Sequence, residues 1–199
     1  MEAEMKRRYP FLIWVHIEKN IGYGHGIYTG LLHAKGRYLG YTHADLQTDP
    51  YDVMKAISII NSTPDNDPVF VKGYRRGRKL IPRFFSKTFE LMVFLILNSK
   101  FKEINAQPTF FSKELLTSLK KPPWHWGFDL YACYHAVKEK YTIKRFDVLF
   151  PCRRSGKSKW NVGFLSQINL SMKMIKYCFE IKKDENKISK ENEVSAVKR

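Results

Sequence analysis

The residues best suited to chemistry lie in Tyr41-Thr42-His43-Ala44-Asp45-Leu46-Gln47-Thr48-Asp49-Pro50. If an extended strand runs to residue 47, its two-residue period puts His43, Asp45 and Gln47 on one face. A carboxylate and an amide oxygen at a strand end can hold Mg²⁺ or Mn²⁺, which take few protein ligands beside water and substrate phosphates. The plainer reading is a turn leading into a capped helix, with Asp49 as N-cap and Pro50 at the first helical position. Spacing alone favours the plainer one.

A second segment, Lys72 to Lys87, has seven basic residues in sixteen and no acid. Its glycines, Gly73 and Gly77, allow close backbone approach, and its arginines can grip phosphate bidentately. The apolar stretch that follows, through Leu91–Leu97, puts these charges beside an apolar surface. A cationic collar on a short apolar helix suits anionic lipid headgroups, and a solvated loop beside a core helix suits the pattern equally. The third segment, Arg153-Arg154-Ser155-Gly156-Lys157-Ser158-Lys159, reads as a phosphate contact ahead of a helix. It holds Gly-Lys-Ser, yet no upstream Gly stands at Walker-loop spacing. Gly22-Tyr23-Gly24-His25-Gly26 only loosely resembles a phosphate loop. Trp124, Trp126 and Phe128 could stack a sugar, although packing is the simpler role. Asp129 reads either as a first-turn helix charge or as a catalytic carboxylate, and local sequence favours the first.

The elements that must position these segments alternate. Strands are expected at Phe11–Ile17, Arg37–Thr42, Val69–Lys72, Ile104–Phe111 and Thr142–Phe150. Helices are expected at Gly26–Lys35, Asp49–Asn61, Phe84–Asn98, Gly127–Lys140 and Trp160–Ile181. This is an α/β pattern with a largely parallel sheet, whose ligands sit at the carboxyl ends of strands. One domain over residues 1–181 and a polar, disordered tail over 182–199 account for the length of 199. With 44% hydrophobic and 15% aromatic residues, a sizeable core can form. Lys and Arg number 35 against 19 acids, a net charge of +16 that implies an anionic partner. The longest apolar run, seven residues, is far below the ~20 needed to span a bilayer. No signal peptide is visible, and three widely spaced cysteines argue against a disulfide framework. A cytoplasmic chain is expected.

Taken in order, four motifs resemble the family 2 glycosyltransferases, in the branch of polyprenyl-phosphate sugar transferases such as the dolichol-phosphate mannosyltransferases. They are Asn20-Ile21-Gly22 with Gly30-Leu31 and Ala34-Lys35-Gly36, then His43-Ala44-Asp45-Leu46-Gln47-Thr48-Asp49-Pro50, then Lys72-Gly73-Tyr74-Arg75 with Arg78, then Arg153 to Lys159. The resemblance implies a partial, Rossmann-like GT-A fold and a metal-dependent, inverting transfer from a nucleotide-sugar donor. It implies Mg²⁺ or Mn²⁺ on Asp45 and Gln47, and catalytic roles for Asp45 and Asp129, the latter as base towards a sugar hydroxyl. His43, Arg75, Arg78, Gln107, Arg153, Ser158 and Lys159 are the implied substrate contacts. The acceptor would be a polyprenyl phosphate or a glycan, reached peripherally at the inner face of an anionic membrane. His43 stands where the family has the first Asp of its D-x-D. The family's two leading nucleotide-binding βα units, about 30 residues each, have no match before Phe11, so an N-terminally truncated domain is expected. A competing reading is a non-enzymatic basic module on anionic membrane or nucleic acid. Without a helix-turn-helix, zinc-finger or RNP pattern, nucleic acid is not expected.

Overall fold

The computed structural model describes residues 2–45, 47–78, 80–151 and 164–197. Four strands form one sheet: β1 (Tyr38–Tyr41), β2 (Val69–Arg76), β3 (Thr109–Ser112) and β4 (Thr142–Leu149), in the order β1-β3-β2-β4. The helices are α1 (Glu2–Arg8), α2 (Tyr23–His33), α3 (Asp52–Asn61), α4 (Leu80–Leu97), α5 (Lys113–Ser118), α6 (Phe128–Lys138) and α7 (Phe164–Val197). The α/β class holds, but the sheet is mixed rather than mostly parallel. Strand β3 runs antiparallel to both β1 and β2, and only β2 and β4 pair in parallel among the described residues. Because β1 and β2 both oppose β3, they point the same way as β4. The carboxyl ends of β1, β2 and β4 therefore share one edge of the sheet.

Strand β2 is covered on both faces, which is why its sequence starts as a continuous apolar run. Val69 and Val71 pack with Ala56 and Ile60 of α3 on one side. Phe70 faces the larger core with Leu39, Phe111, Val93 and Leu130, its ring stacked on that of Phe111 at 5.5 Å. β2 also runs four residues past the expected end at Lys72. The segment Gly73 to Arg76, expected as a basic loop, is strand, paired with Phe146–Leu149. Gly73 is required there, because a Cβ would lie 2.6 Å from the Gln107 carbonyl oxygen.

Three other expectations change. Phe11–Ile17 is no strand: it has no neighbour to pair with among the described residues, and Phe11 is 77% exposed. A strand needs partners for its backbone groups, whatever its composition. The last helix continues to Val197, past the Ile181 expected as its end. The glycines around Tyr23 serve packing instead of phosphate. A Cβ on Gly22 (φ +150°) or Gly24 would sit 2.1 Å from the carbonyl oxygens of Trp124 and Pro123 respectively. Their absence of side chain lets α2 press its first turn onto that loop and aim Tyr23 inward.

Candidate functional site

Beneath the shared strand edge lies a polar cluster centred on two fully buried charges. Asp129, in the first turn of α6, and Lys72, on β2, are both 0% exposed. Lys72 Nζ reaches Asp129 Oδ1 at 3.1 Å and donates to Thr109 Oγ1 at 2.8 Å. Tyr41 OH donates to the same carboxylate oxygen at 2.7 Å, and Tyr23 OH donates to the other at 2.7 Å. Gln107 Nε2 donates to the Tyr23 oxygen at 2.6 Å. Burial, and then the Asp129 charge, push both tyrosines well above their ordinary pKa, so they stay neutral donors. Asp129 thus binds β1, β2 and α2 to α6. It has no solvent face from which to take a proton from a sugar hydroxyl. Gln107 is likewise turned into the cluster, 2% exposed, with its Oε1 lacking a hydrogen-bond partner among the described residues. Lys72 was legible in principle: a Lys ending a buried apolar strand demands a carboxylate.

At the end of β2, Arg75 and Arg78 converge on an acid that spacing did not reveal. Glu103 accepts from Arg75 Nε at 2.5 Å and from Arg78 Nη1 at 3.1 Å, and Arg78 Nη2 donates to the Pro82 carbonyl. Glu103 is 4% exposed at its side chain and sits at positive φ (49°), with its N–H on Glu90 Oε1 at 2.6 Å. Burial and the neighbouring Arg75 charge lower the Arg78 pKa. Arg75, Arg76, Arg78 and Arg83 line a cavity of about 70 Å³ with Tyr74 and Glu103. Arg76 is paired with Asp147 at 3.0 Å, so Arg75, Arg78 and Arg83 against the single Glu103 carboxylate leave the hollow net positive.

The segment after β1 lies against the same edge. The strand stops at Tyr41, so His43, Asp45 and Gln47 do not share a strand face. The Asp45 carboxylate instead accepts the Gln47 N–H at 3.1 Å, a local turn that its short side chain favours. Gln47 Nε2 donates to the Pro151 carbonyl at 3.0 Å, which ties this segment to the end of β4. His43 tilts against Phe150 at 5.7 Å, and Arg75 lies over the same ring at 5.4 Å. His43 is lowered in pKa by burial, with Arg75 and Lys72 lowering it further against Asp45 and Asp129. Its Nε2 is buried with no hydrogen-bond partner among the described residues. Among those residues no three His, Cys, Asp or Glu side chains gather closely enough to hold a metal. One exposed carboxylate and an amide oxygen fit only a hard cation held largely by a ligand's own phosphates.

Arg153, Ser158 and Lys159 lie outside the described residues. The aromatic trio divides: Phe128 is buried, Trp126 stacks on Tyr23 at 4.2 Å, and Trp124 alone is 60% exposed. Two histidines, one just before α6 and one within it, report on local packing. His125 accepts the Gly127 N–H on Nδ1 and meets the Tyr177 ring edge-on, while His135 lies on Tyr131. Burial lowers both pKa values, against Glu180 for His125 and against Glu139 and Glu185 for His135. The unfolded chain takes up these protons near the ordinary value of about 6.5, whereas the folded chain resists them. Stability is therefore full above that pH and falls as pH drops below it. Melting temperatures between pH 8 and 5 should decline on the acid side, and His135→Gln should flatten the decline.

No family model matches the sequence, and no curated protein matches it. Among solved structures, the fold is similar to a glucosyl-3-phosphoglycerate synthase from Mycobacterium tuberculosis, solved in complex with phosphoglyceric acid. The TM-score is 0.60 at 15% sequence identity, over 88% of this chain and 58% of that one. This chain therefore spans a little over half the length of that enzyme. Its mixed four-stranded sheet and flanking helices match part of a GT-A-like glycosyltransferase fold.

Proposed function

We propose that this chain is a glycosyltransferase domain that moves a sugar from a nucleotide-sugar donor to an anionic acceptor, with inversion. The observation that carries this reading is the positive hollow of Arg75, Arg78 and Arg83 beside the Asp45 segment, at one strand edge of a GT-A-like fold. Family 2 membership and the polyprenyl-phosphate branch rest on the order of the four sequence motifs. The phosphoglyceric acid bound by the solved neighbour is consistent with a phosphate-bearing acceptor, here a polyprenyl phosphate at a membrane surface; a glycan acceptor, attacking through a hydroxyl, is the alternative.

In this mechanism Arg75 and Arg78 hold the acceptor's anionic group and orient its oxygen towards the anomeric carbon. Arg153, Ser158 and Lys159 are proposed to add contacts to the same group. A phosphate acceptor is already ionised near neutral pH, so attack requires no strong base, and Asp129 acts as a positioning residue. Asp45 and Gln47 would hold Mg²⁺ or Mn²⁺, which when bound offsets charge on the departing diphosphate. His43, against the Phe150 ring at this edge, is proposed to line the space between these groups.

Titration calorimetry with UDP- and GDP-sugars, with and without Mn²⁺, tests the reading. Metal-dependent binding is expected, weakened at least tenfold by Asp45→Ala. Sugar-nucleotide binding by the wild type that is the same with Mn²⁺ and with a chelator would overturn the metal-dependent reading. Equal affinity in Asp45→Ala would remove that residue from the site.

A further inference from the structure

The outward face of α4 is built to be covered. An α-helix turns about 100° per residue, which puts Leu80, Phe84, Leu91 and Leu95 within one narrow stripe. All four are exposed, at 81%, 69%, 56% and 64%. Ile81, 65% exposed, borders the stripe. The opposite side of the same helix is its core side, where Val93, Ile96 and Leu97 are buried. A helix that is apolar on both sides has a second apolar environment to meet. Past Ile81 and Thr88 the surface continues into a groove of about 120 Å³ against α7, lined by Phe85, Phe89, Met92, Ile168, Met172 and Ile175. Met172 is itself 60% exposed.

Charge defines what fits this face. Arg83 and Lys87 lie along its other flank, both exposed, Lys87 paired with Glu90 at 2.7 Å, with Lys100 over the Phe94 ring just beyond. On α7, exposed Lys173 and Lys176 follow Met172. A second copy of the chain would set these cations, and a net charge of +16, against their like. An acidic, apolar surface is the complement. Arg83 also lines the hollow that holds Arg75 and Arg78, so the apolar face and the anion site are continuous. No described helix is long and apolar enough to cross a bilayer.

We infer that the outward face of α4, with the α4–α7 groove, is an in-plane docking surface for anionic phospholipid. The stripe enters the headgroup–acyl boundary while Arg83, Lys87 and Lys176 remain among the phosphates. This deepens the proposed function by naming the surface that presents a lipid-borne acceptor to the hollow, and rests on that reading for its purpose alone. The contact itself needs no sugar transfer.

Flotation of the full 199-residue chain separates the two. The chain should float with phosphatidylcholine vesicles containing 30–40% (roughly a third) phosphatidylglycerol, and not with phosphatidylcholine alone. Leu91→Ser/Leu95→Ser should lose at least about fivefold of the floated fraction at unchanged melting temperature, because both side chains already face solvent. Arg83→Ser should lose about twofold or more, with a shallower dependence on salt, because one screened charge contact is gone. Equal flotation of all three proteins, or none by the wild type, overturns the inference. So does a wild-type dimer that Leu91→Ser/Leu95→Ser converts to monomer, which would make the face a self-interface. Donor binding measured by calorimetry should be unchanged in Leu91→Ser/Leu95→Ser, whose side chains lie outside the hollow, so loss of the contact and loss of the sugar-transfer reading are told apart.

Discussion

Lys72→Met and Asp129→Asn, each made alone, should destabilise the chain by about 3–5 kcal/mol, the range for leaving one charge of a buried pair without its partner. Both side chains are wholly buried, and neither has water to fall back on. In Asp129→Asn the Lys72 ammonium loses its counter-charge, and one of the two oxygens that accept from Tyr23 and Tyr41 becomes an NH2 donor facing a hydroxyl. For a chain of this size the loss corresponds to roughly 6–20 °C in melting temperature. The double variant Lys72→Met/Asp129→Asn should be more stable than either single one, since it buries no unpaired charge. Chemical denaturation of the four proteins closes the cycle. Single variants within about 1 kcal/mol of wild type would mean that the pair carries no structural weight. If Asp129 were instead a working base, Asp129→Asn would abolish transfer while leaving stability nearly untouched. The two roles are therefore separable in one set of proteins.

What could be read from sequence, and what could not, follows the range of the interactions involved. Local signals served well for α3, α6 and β4, whose limits lie within a few residues of expectation. The place of the Asp45 segment was legible too, because it follows β1. The direction of β3 was not, since nothing local in Thr109–Ser112 encodes whether it returns beside β1 or continues past it. Tyr74, Arg75 and Arg76 looked like loop because strands rarely carry such charge. Their stability as strand depends on Glu103, 28 residues beyond Arg75, and on pairing with β4. The same distance hid Glu103 as a site residue. The Asp129 cluster gathers Tyr23, Tyr41, Lys72 and Gln107 from separate elements, so spacing around Asp129 could say only that it opens a helix. Trp124, Trp126 and Phe128 make the converse point. They are neighbours in sequence, yet one faces solvent, one stacks on Tyr23 and one fills the core.

Glu103→Gln should weaken the free protein and at the same time strengthen its response to anions. Glu103 already occupies Arg75 and Arg78 as an internal anion, with their side chains only 11% exposed. A neutral amide keeps its shape but leaves two close guanidiniums without a counter-charge, at a cost of about 1–3 kcal/mol. An acceptor phosphate entering the hollow would supply that charge. In wild type it competes with Glu103 for the same donors, and in Glu103→Gln it does not. Thermal melts with increasing inorganic phosphate should therefore lift Glu103→Gln by several degrees more than wild type. Arg75→Ser in the Glu103→Gln background should cancel the extra gain. The comparison is internal to each protein, so general salt effects, which act on exposed charges of all three alike, drop out. Equal phosphate responses in wild type and Glu103→Gln would place the anionic acceptor somewhere other than this pair of arginines, and the hollow would be a structural ion triad.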